Sequence, residues 1–99
     1  RSVKGRLLVA WHLMSPDADR MAGVVVSRKS FHDAVDRNRA KRLMREAFRL
    51  WVASGQAPEH TEWIFIGRSS LRGKKVQDVI ADIAAMRSRL PGSLKPDVR

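Results

Sequence analysis

The feature that most constrains this chain is a segment with two chemically opposite sides, "DRNRAKRLMREAFRLW" at residues 36–51. At 100° per residue its apolar side chains fall on one side of a helix, and they are Ala40, Leu43, Met44, Ala47, Phe48 and Trp51. The opposite side carries Arg37, Asn38, Lys41, Arg42, Arg45 and Arg49, with Arg39 at the margin. An apolar stripe must pack against another element. We therefore predict a helix over 36–53, with Asp33 or Asp36 as N-cap and Gly55 just beyond its end.

The rest of the chain predicts a small α+β domain. Apolar and β-branched runs indicate strands at 6–13, 22–27 and 62–68, and apolar spacing indicates a second helix at 76–90. The turn-forming stretch at 14–21 suggests that the first two strands pair antiparallel. The order ββαβα predicts a two-layer sandwich at 1–90, with a small mixed sheet and both helices on one face. Residues 91–99 are predicted to be a flexible tail.

Charge points to a polyanionic partner. The 20 Lys and Arg residues exceed the 10 Asp and Glu residues, which leaves a net charge of +10 on 99 residues. Such a surplus attracts nucleic acid first and anionic membranes second. The chain has no cysteine, which excludes disulfides and cysteine metal sites, and its apolar runs are too short to span a membrane. We expect a soluble, intracellular protein.

Residues for catalysis by the chain itself are not apparent. The three His residues, His12, His32 and His60, lie in different predicted elements and lack metal-ligand spacing. The sequence has no nucleophile-elbow or phosphate-binding glycine motif. We predict no catalytic residue and no metal ligand in this chain, so another component would carry any reaction.

Three explanations compete for the basic helix. A solvated surface helix usually mixes charge signs, whereas Glu46 is the only acid between residues 37 and 51. A membrane-surface helix needs its apolar stripe for lipid, but the small residues Ala40 and Ala47 favour close packing on a sheet. Nucleic acid is the favoured partner, since each phosphate contact adds affinity.

The segment "RNRAKRLMREAFR" resembles the signature of the bacterial ribonuclease P protein subunit, RNRxKRxxRExFR. "GVVVSRK", "AVDRNR", "RSVKGRLLVAWHL" and "WIFIGR" are also similar to that family, so the resemblance covers about residues 1–90. It implies a basic protein that joins a catalytic RNA to remove the 5′ leader of precursor tRNA in the cytoplasm. The RNA and its bound Mg²⁺ would supply the chemistry. It also implies a left-handed βαβ crossover, in a fold like domain 2 of ribosomal protein S5.

The resemblance assigns expected roles by position. The residues expected to contact the catalytic RNA are Arg37, Asn38, Arg39, Lys41, Arg42, Arg45 and Arg49 in the helix, and Arg28, Lys29 and Arg68 beside it. Trp11 and Arg6 are the candidates for the cleft that holds the leader. The alternative for Trp11 is a core position, and the alternative for Arg6 and Arg68 is a plain surface role.

Two departures qualify the resemblance. The chain has "HDAV" at 32–35 where many members have "GNAV", and it begins after the helix with which the family starts. The missing initiator Met suggests a trimmed fragment, in which exposed sheet surface would promote dimerisation or weak leader binding. The alternative functions are a non-enzymatic, ribosome-associated module that binds structured RNA, and a membrane-surface or peptide-binding module.

Overall fold

The computed structural model describes residues 2–14, 21–57 and 60–89. Within these ranges the strands are β1 (Ser2–Lys4), β2 (Leu8–Met14), β3 (Met21–Val25) and β4 (Thr61–Gly67). The helices are α1 (Ala34–Ala53) and α2 (Val76–Arg89), with a short 3-10 helix at Ser69–Leu71. The predicted tail at 91–99 and most of the predicted turn at 14–21 lie outside the described residues.

The strands form one mixed sheet in the order β1-β2-β4-β3. β2 is antiparallel to both β1 and β4, whereas β3 is parallel to β4. The predicted antiparallel pairing of the first two long strands is therefore wrong, because β4 lies between β2 and β3. A parallel pair needs a long crossover, and α1 provides it. The hand of this crossover stays a prediction.

The central position of β4 follows from its composition. Trp63 and Phe65 face the helices and are almost fully buried, while Ile64 and Ile66 lie on the opposite face. A strand that is apolar on both faces gains most when strands flank it on both sides. With both helices on one face of a mixed sheet, the predicted α+β sandwich is confirmed. The structure adds β1, whose three residues are too few to show a periodic pattern.

The helix α1 begins and ends close to the predicted residues. Asp33 is the N-cap residue, with an extended backbone but no capping bond from its side chain. At the other end Gly55 has a φ of +82°, the left-handed conformation that glycine adopts without strain. Of the predicted apolar stripe, Leu43 and Phe48 are partly buried, and the remaining members are fully buried: Ala40, Met44, Ala47 and Trp51.

The helix α2 carries a carboxylate on its buried side. Val79, Ile83 and Met86 form its buried apolar stripe, and Asp82 lies among them with 6% of its surface exposed. Asp82 Oδ1 accepts the Arg6 amide at 2.9 Å, and its Oδ2 accepts the amides of Leu7 and Leu8 at 2.9 and 3.3 Å. Because buried charge is stable only when it is hydrogen-bonded, Asp82 fixes the start of β2 against α2.

Gly5 permits this contact, which gives a direct test. A Cβ at Gly5 would overlap the Asp82 carboxylate and lie 2.7 Å from Met86 Sδ. We expect Gly5→Ala to lower the free energy of unfolding by about 1–3 kcal/mol through overpacking, measured by urea denaturation.

Gly23→Ala is the matched control, because a Cβ there meets no atom within 4 Å. Its free energy of unfolding should stay within ~0.5 kcal/mol of the unchanged chain. Equal losses in the two variants would contradict the close approach at Gly5.

Candidate nucleic-acid interface

The basic face of α1 is the side turned away from the sheet. Packing of the apolar stripe on β4, with Trp51 and Trp63 centroids 5.6 Å apart, fixes the rotation of the helix. The polar and charged side chains that this rotation leaves exposed are Asn38, Arg39, Arg42, Arg45 and Arg49. We call these five residues the basic face. Lys41 lies at its border and is half-buried.

Charge on the basic face is largely uncompensated. Glu46 pairs with Arg49, whose Nε donates to Glu46 Oε1 at 3.1 Å and whose Nη2 donates to Oε2. This hydrogen bond lowers the pKa of Glu46 below its ordinary value, but an exposed pair contributes little stability. Arg39, Arg42 and Arg45 form no ion pair with any described residue. A shallow groove of about 410 Å³ runs along this face between Asn38, Arg42, Arg45, Glu46 and Arg49.

Arg37 lies in the first turn of α1, beside the basic face, and its side chain is turned toward the segment before the helix. Its Nη1 donates to the main-chain carbonyls of Phe31 and His32, at 3.0 and 2.7 Å. The guanidinium therefore holds the segment that leads into α1, and Arg37 is half-buried as a result. The predicted basic pair, Arg28 and Lys29, is exposed in the turn just before that segment.

The second candidate surface is the face of the sheet opposite the helices. Trp11 is 48% exposed there, so the alternative of a core position for Trp11 is wrong. Register places Trp11 opposite Ile64, and Ile64 opposite Gly23. These three residues lie side by side across β2, β4 and β3. Because Gly23 has no side chain, a groove of about 500 Å³ remains on this face of the sheet. The residues that line it are Trp11, His12, Leu13, Ala22, Gly23, Glu62, Trp63 and Ile64.

Arg6 and Arg68 lie together, away from Trp11. Arg68 Nη1 donates to the carbonyl of Gly5 at 2.8 Å, and its amide donates to Leu7 at 2.9 Å. Arg6 is exposed and lines a different cleft, of about 680 Å³, beside the start of α2. The two leader-cleft candidates, Trp11 and Arg6, therefore line separate cavities.

Sequence reasoning missed two residues that organise the site. Asp82 follows Val79 by three positions, which places a carboxylate on an apolar helical stripe, and that spacing was a usable signal. Arg72 lies after the 3-10 helix and donates from Nη2 to the carbonyl of Ser30 at 3.0 Å. No local sequence pattern predicts that contact, because the two residues are 42 positions apart in the chain.

Comparison with known proteins identifies similar chains. The Ribonuclease P family profile matches residues 1–90. The ribonuclease P protein component of Pelotomaculum thermopropionicum is 36% identical over 89 residues, which cover 90% of this chain and 77% of the relative.

Solved structures agree with this match. The RNase P protein from Thermotoga maritima superposes with a TM-score of 0.74 at 26% identity, over 93% of this chain and 84% of that one. The Staphylococcus aureus RNase P protein has a TM-score of 0.69 at 24% identity, over 89% of this chain and 78% of that one. The likeness to the Staphylococcus aureus protein concerns the fold alone.

Proposed function

Because the chain belongs to the ribonuclease P protein family and is thus a subunit of the enzyme that matures tRNA 5′ ends, we propose which surface meets which RNA. The basic face of α1 binds the catalytic RNA, and the groove at Trp11 binds the 5′ leader of precursor tRNA. Arg28 and Lys29 extend the first surface, and Arg37, Lys41 and Arg68 are further predicted contacts of the catalytic RNA. Arg6 remains the second predicted contact of the leader, from the separate cleft beside α2.

The observation that carries the proposal is the set of unpaired guanidinium groups on α1. Arg39, Arg42 and Arg45 are exposed and form no ion pair with the described residues. Guanidinium groups bind phosphate oxygens through paired donors. Each phosphate that they neutralise releases counterions, which favours binding without regard to sequence.

Burial of the apolar stripe argues against a membrane-surface role. A helix that lies on lipid must present its apolar side to the bilayer, whereas Met44, Ala47 and Trp51 are almost fully buried in this fold. No helix among the described residues is long and apolar enough to cross a bilayer. The cytoplasmic location expected from the sequence remains part of this proposal.

The groove on the open sheet face suits a single-stranded leader. Trp11 offers an exposed aromatic surface beside Ile64, and aromatic stacking accepts any base. On the β3 side of Ile64 the groove stays open, because Gly23 has no side chain and no other atom lies within 4 Å of where its Cβ would be. A surface that does not select one sequence fits leaders that differ among precursor tRNAs.

We assign the chemistry to the RNA partner. Among residues 2–14, 21–57 and 60–89, no three His, Asp or Glu side chains are grouped so that they would hold a metal ion. The expectation that Mg²⁺ is held by RNA stays a prediction. The role of the protein is then to bind and orient two RNA segments.

The first test is processing of precursor tRNA at low Mg²⁺. Addition of the chain to ribonuclease P RNA should raise the cleavage rate, because its cations reduce the need for Mg²⁺ between phosphates. Arg42→Ala/Arg45→Ala should weaken binding to that RNA by roughly tenfold per Arg at about 0.1 M salt.

Glu46→Gln is the matched control, and its expected effect on RNA affinity is opposite in sign. It removes the carboxylate that pairs with Arg49, so it should tighten binding. Stimulation that survives Arg42→Ala/Arg45→Ala in full would contradict the role of α1. Structured-RNA binding without any stimulation would instead support the non-enzymatic, ribosome-associated alternative.

The second test separates the leader from the tRNA body. Trp11→Ala should weaken binding of precursor tRNA by the holoenzyme about 5- to 150-fold, the equivalent of one stacked base. Binding of mature tRNA should not change, and Trp11→Phe should retain most of the affinity. Equal losses for precursor and mature tRNA would contradict a leader contact at Trp11.

A further inference from the structure

Three consecutive carbonyls before α1 are each bonded to an arginine side chain. Arg37, from the first turn of α1, donates to Phe31 and His32 at 3.0 and 2.7 Å. Arg72, from the loop between β4 and α2, donates to Ser30 at 3.0 Å. Main-chain carbonyls outside helices and strands need other hydrogen-bond donors. Here two arginine side chains from different parts of the fold supply them.

Arg72 also makes a cation–π contact, which a guanidinium can combine with its hydrogen bond to Ser30. Its Cζ lies 4.8 Å from the centroid of the Phe31 ring, and that ring is 2% exposed. A planar guanidinium stacks on a ring and donates in its own plane at the same time. A lysine ammonium has the same charge but lacks this combination.

The segment held in this way contains its own hydrogen bonds. Ser27 Oγ accepts the Ser30 amide at 3.1 Å, and the Ser27 carbonyl accepts the Phe31 amide at 3.0 Å. We call residues 27–32 the clamped turn. Arg28 and Lys29 lie within it with exposed side chains.

We propose that Arg72 and Arg37 are positioning residues for RNA binding, which hold the clamped turn so that Arg28 and Lys29 meet the RNA in a fixed arrangement. The inference rests on the proposed function, because it concerns how the same interface is prepared. A turn that is ordered before binding avoids the entropy loss of becoming ordered in the complex. Arg72 thereby acts on RNA affinity through the turn.

A direct phosphate contact is the competing role for Arg72. The residue is exposed and lines the 680 Å³ cleft with Arg6 and Lys74. That cleft also contains the carboxylates of Asp78 and Asp82, which oppose an anion. A direct contact depends on charge, whereas positioning depends on the shape of the guanidinium, so Arg72→Lys distinguishes them.

The first measurement needs no RNA. Amide hydrogen exchange at Phe31 should become about tenfold faster in Arg72→Ala, since loss of the Ser30 bond loosens the turn. Arg72→Lys should exchange nearly as fast as Arg72→Ala. Unchanged protection of Phe31 in both variants would overturn the proposal, even if the chain bound no RNA.

The second measurement is a double-mutant cycle on binding to ribonuclease P RNA. As a single substitution, Arg72→Ala should weaken RNA binding about tenfold, and Arg72→Lys should weaken it nearly as much. In an Arg28→Ala/Lys29→Ala background, Arg72→Ala should cause no further loss. Such coupling is the expected result when one residue acts through others.

Arg42→Ala provides the control for folding. Its effect on binding should add to that of Arg72→Ala, because Arg42 lies on the basic face and not in the clamped turn. Full restoration by Arg72→Lys, or losses that simply add to those of Arg28→Ala/Lys29→Ala, would overturn the positioning role. Failure of the unchanged chain to bind the RNA would instead contradict the proposed function.

Discussion

The structure depends on the packing of one side of α1 against the sheet. Cations spaced along the other side repel one another, by about 0.2–0.5 kcal/mol for each close pair. Burial of a large apolar side chain contributes about 1.5–3 kcal/mol, and Met44 and Trp51 are both almost fully buried. Burial therefore outweighs repulsion, and the helix forms without any need to neutralise its charge. Arg39, Arg42 and Arg45 remain available for a polyanion.

Two polar contacts then set the geometry around this packing. Asp82 binds the amides at the start of β2 and so fixes that strand relative to α2. With Leu8 and Ala10 directed into the core, alternation turns Trp11 to the open face. At the start of α1, Arg37 and Arg72 hold the turn that carries the exposed basic pair. One helix, one strand and one turn thus present the candidate RNA contacts.

Local patterns were enough to predict the three long strands and both helices, but not the pairing of the strands. The 3.6-residue period of α1 identified its buried stripe, and Gly55 marked its end. Strand order was missed, because adjacency in the chain favoured a hairpin and the long βαβ connection left no local signal. Arg72 was missed for the same reason, since its contact with Ser30 spans 42 residues. Among site residues, the sequence left Trp11 undecided between core and cleft, and only the sheet register resolved its position.

The charge of α1 serves binding and not folding, and the salt dependence of RNA binding tests this most directly. In Arg39→Ala/Arg42→Ala/Arg45→Ala/Arg49→Ala, the slope of log affinity against log salt should become shallower by about 3–4, one contact for each Arg. The free energy of unfolding should stay equal or rise, because the repulsion is removed. An unchanged slope, or a protein that no longer folds, would contradict the claim.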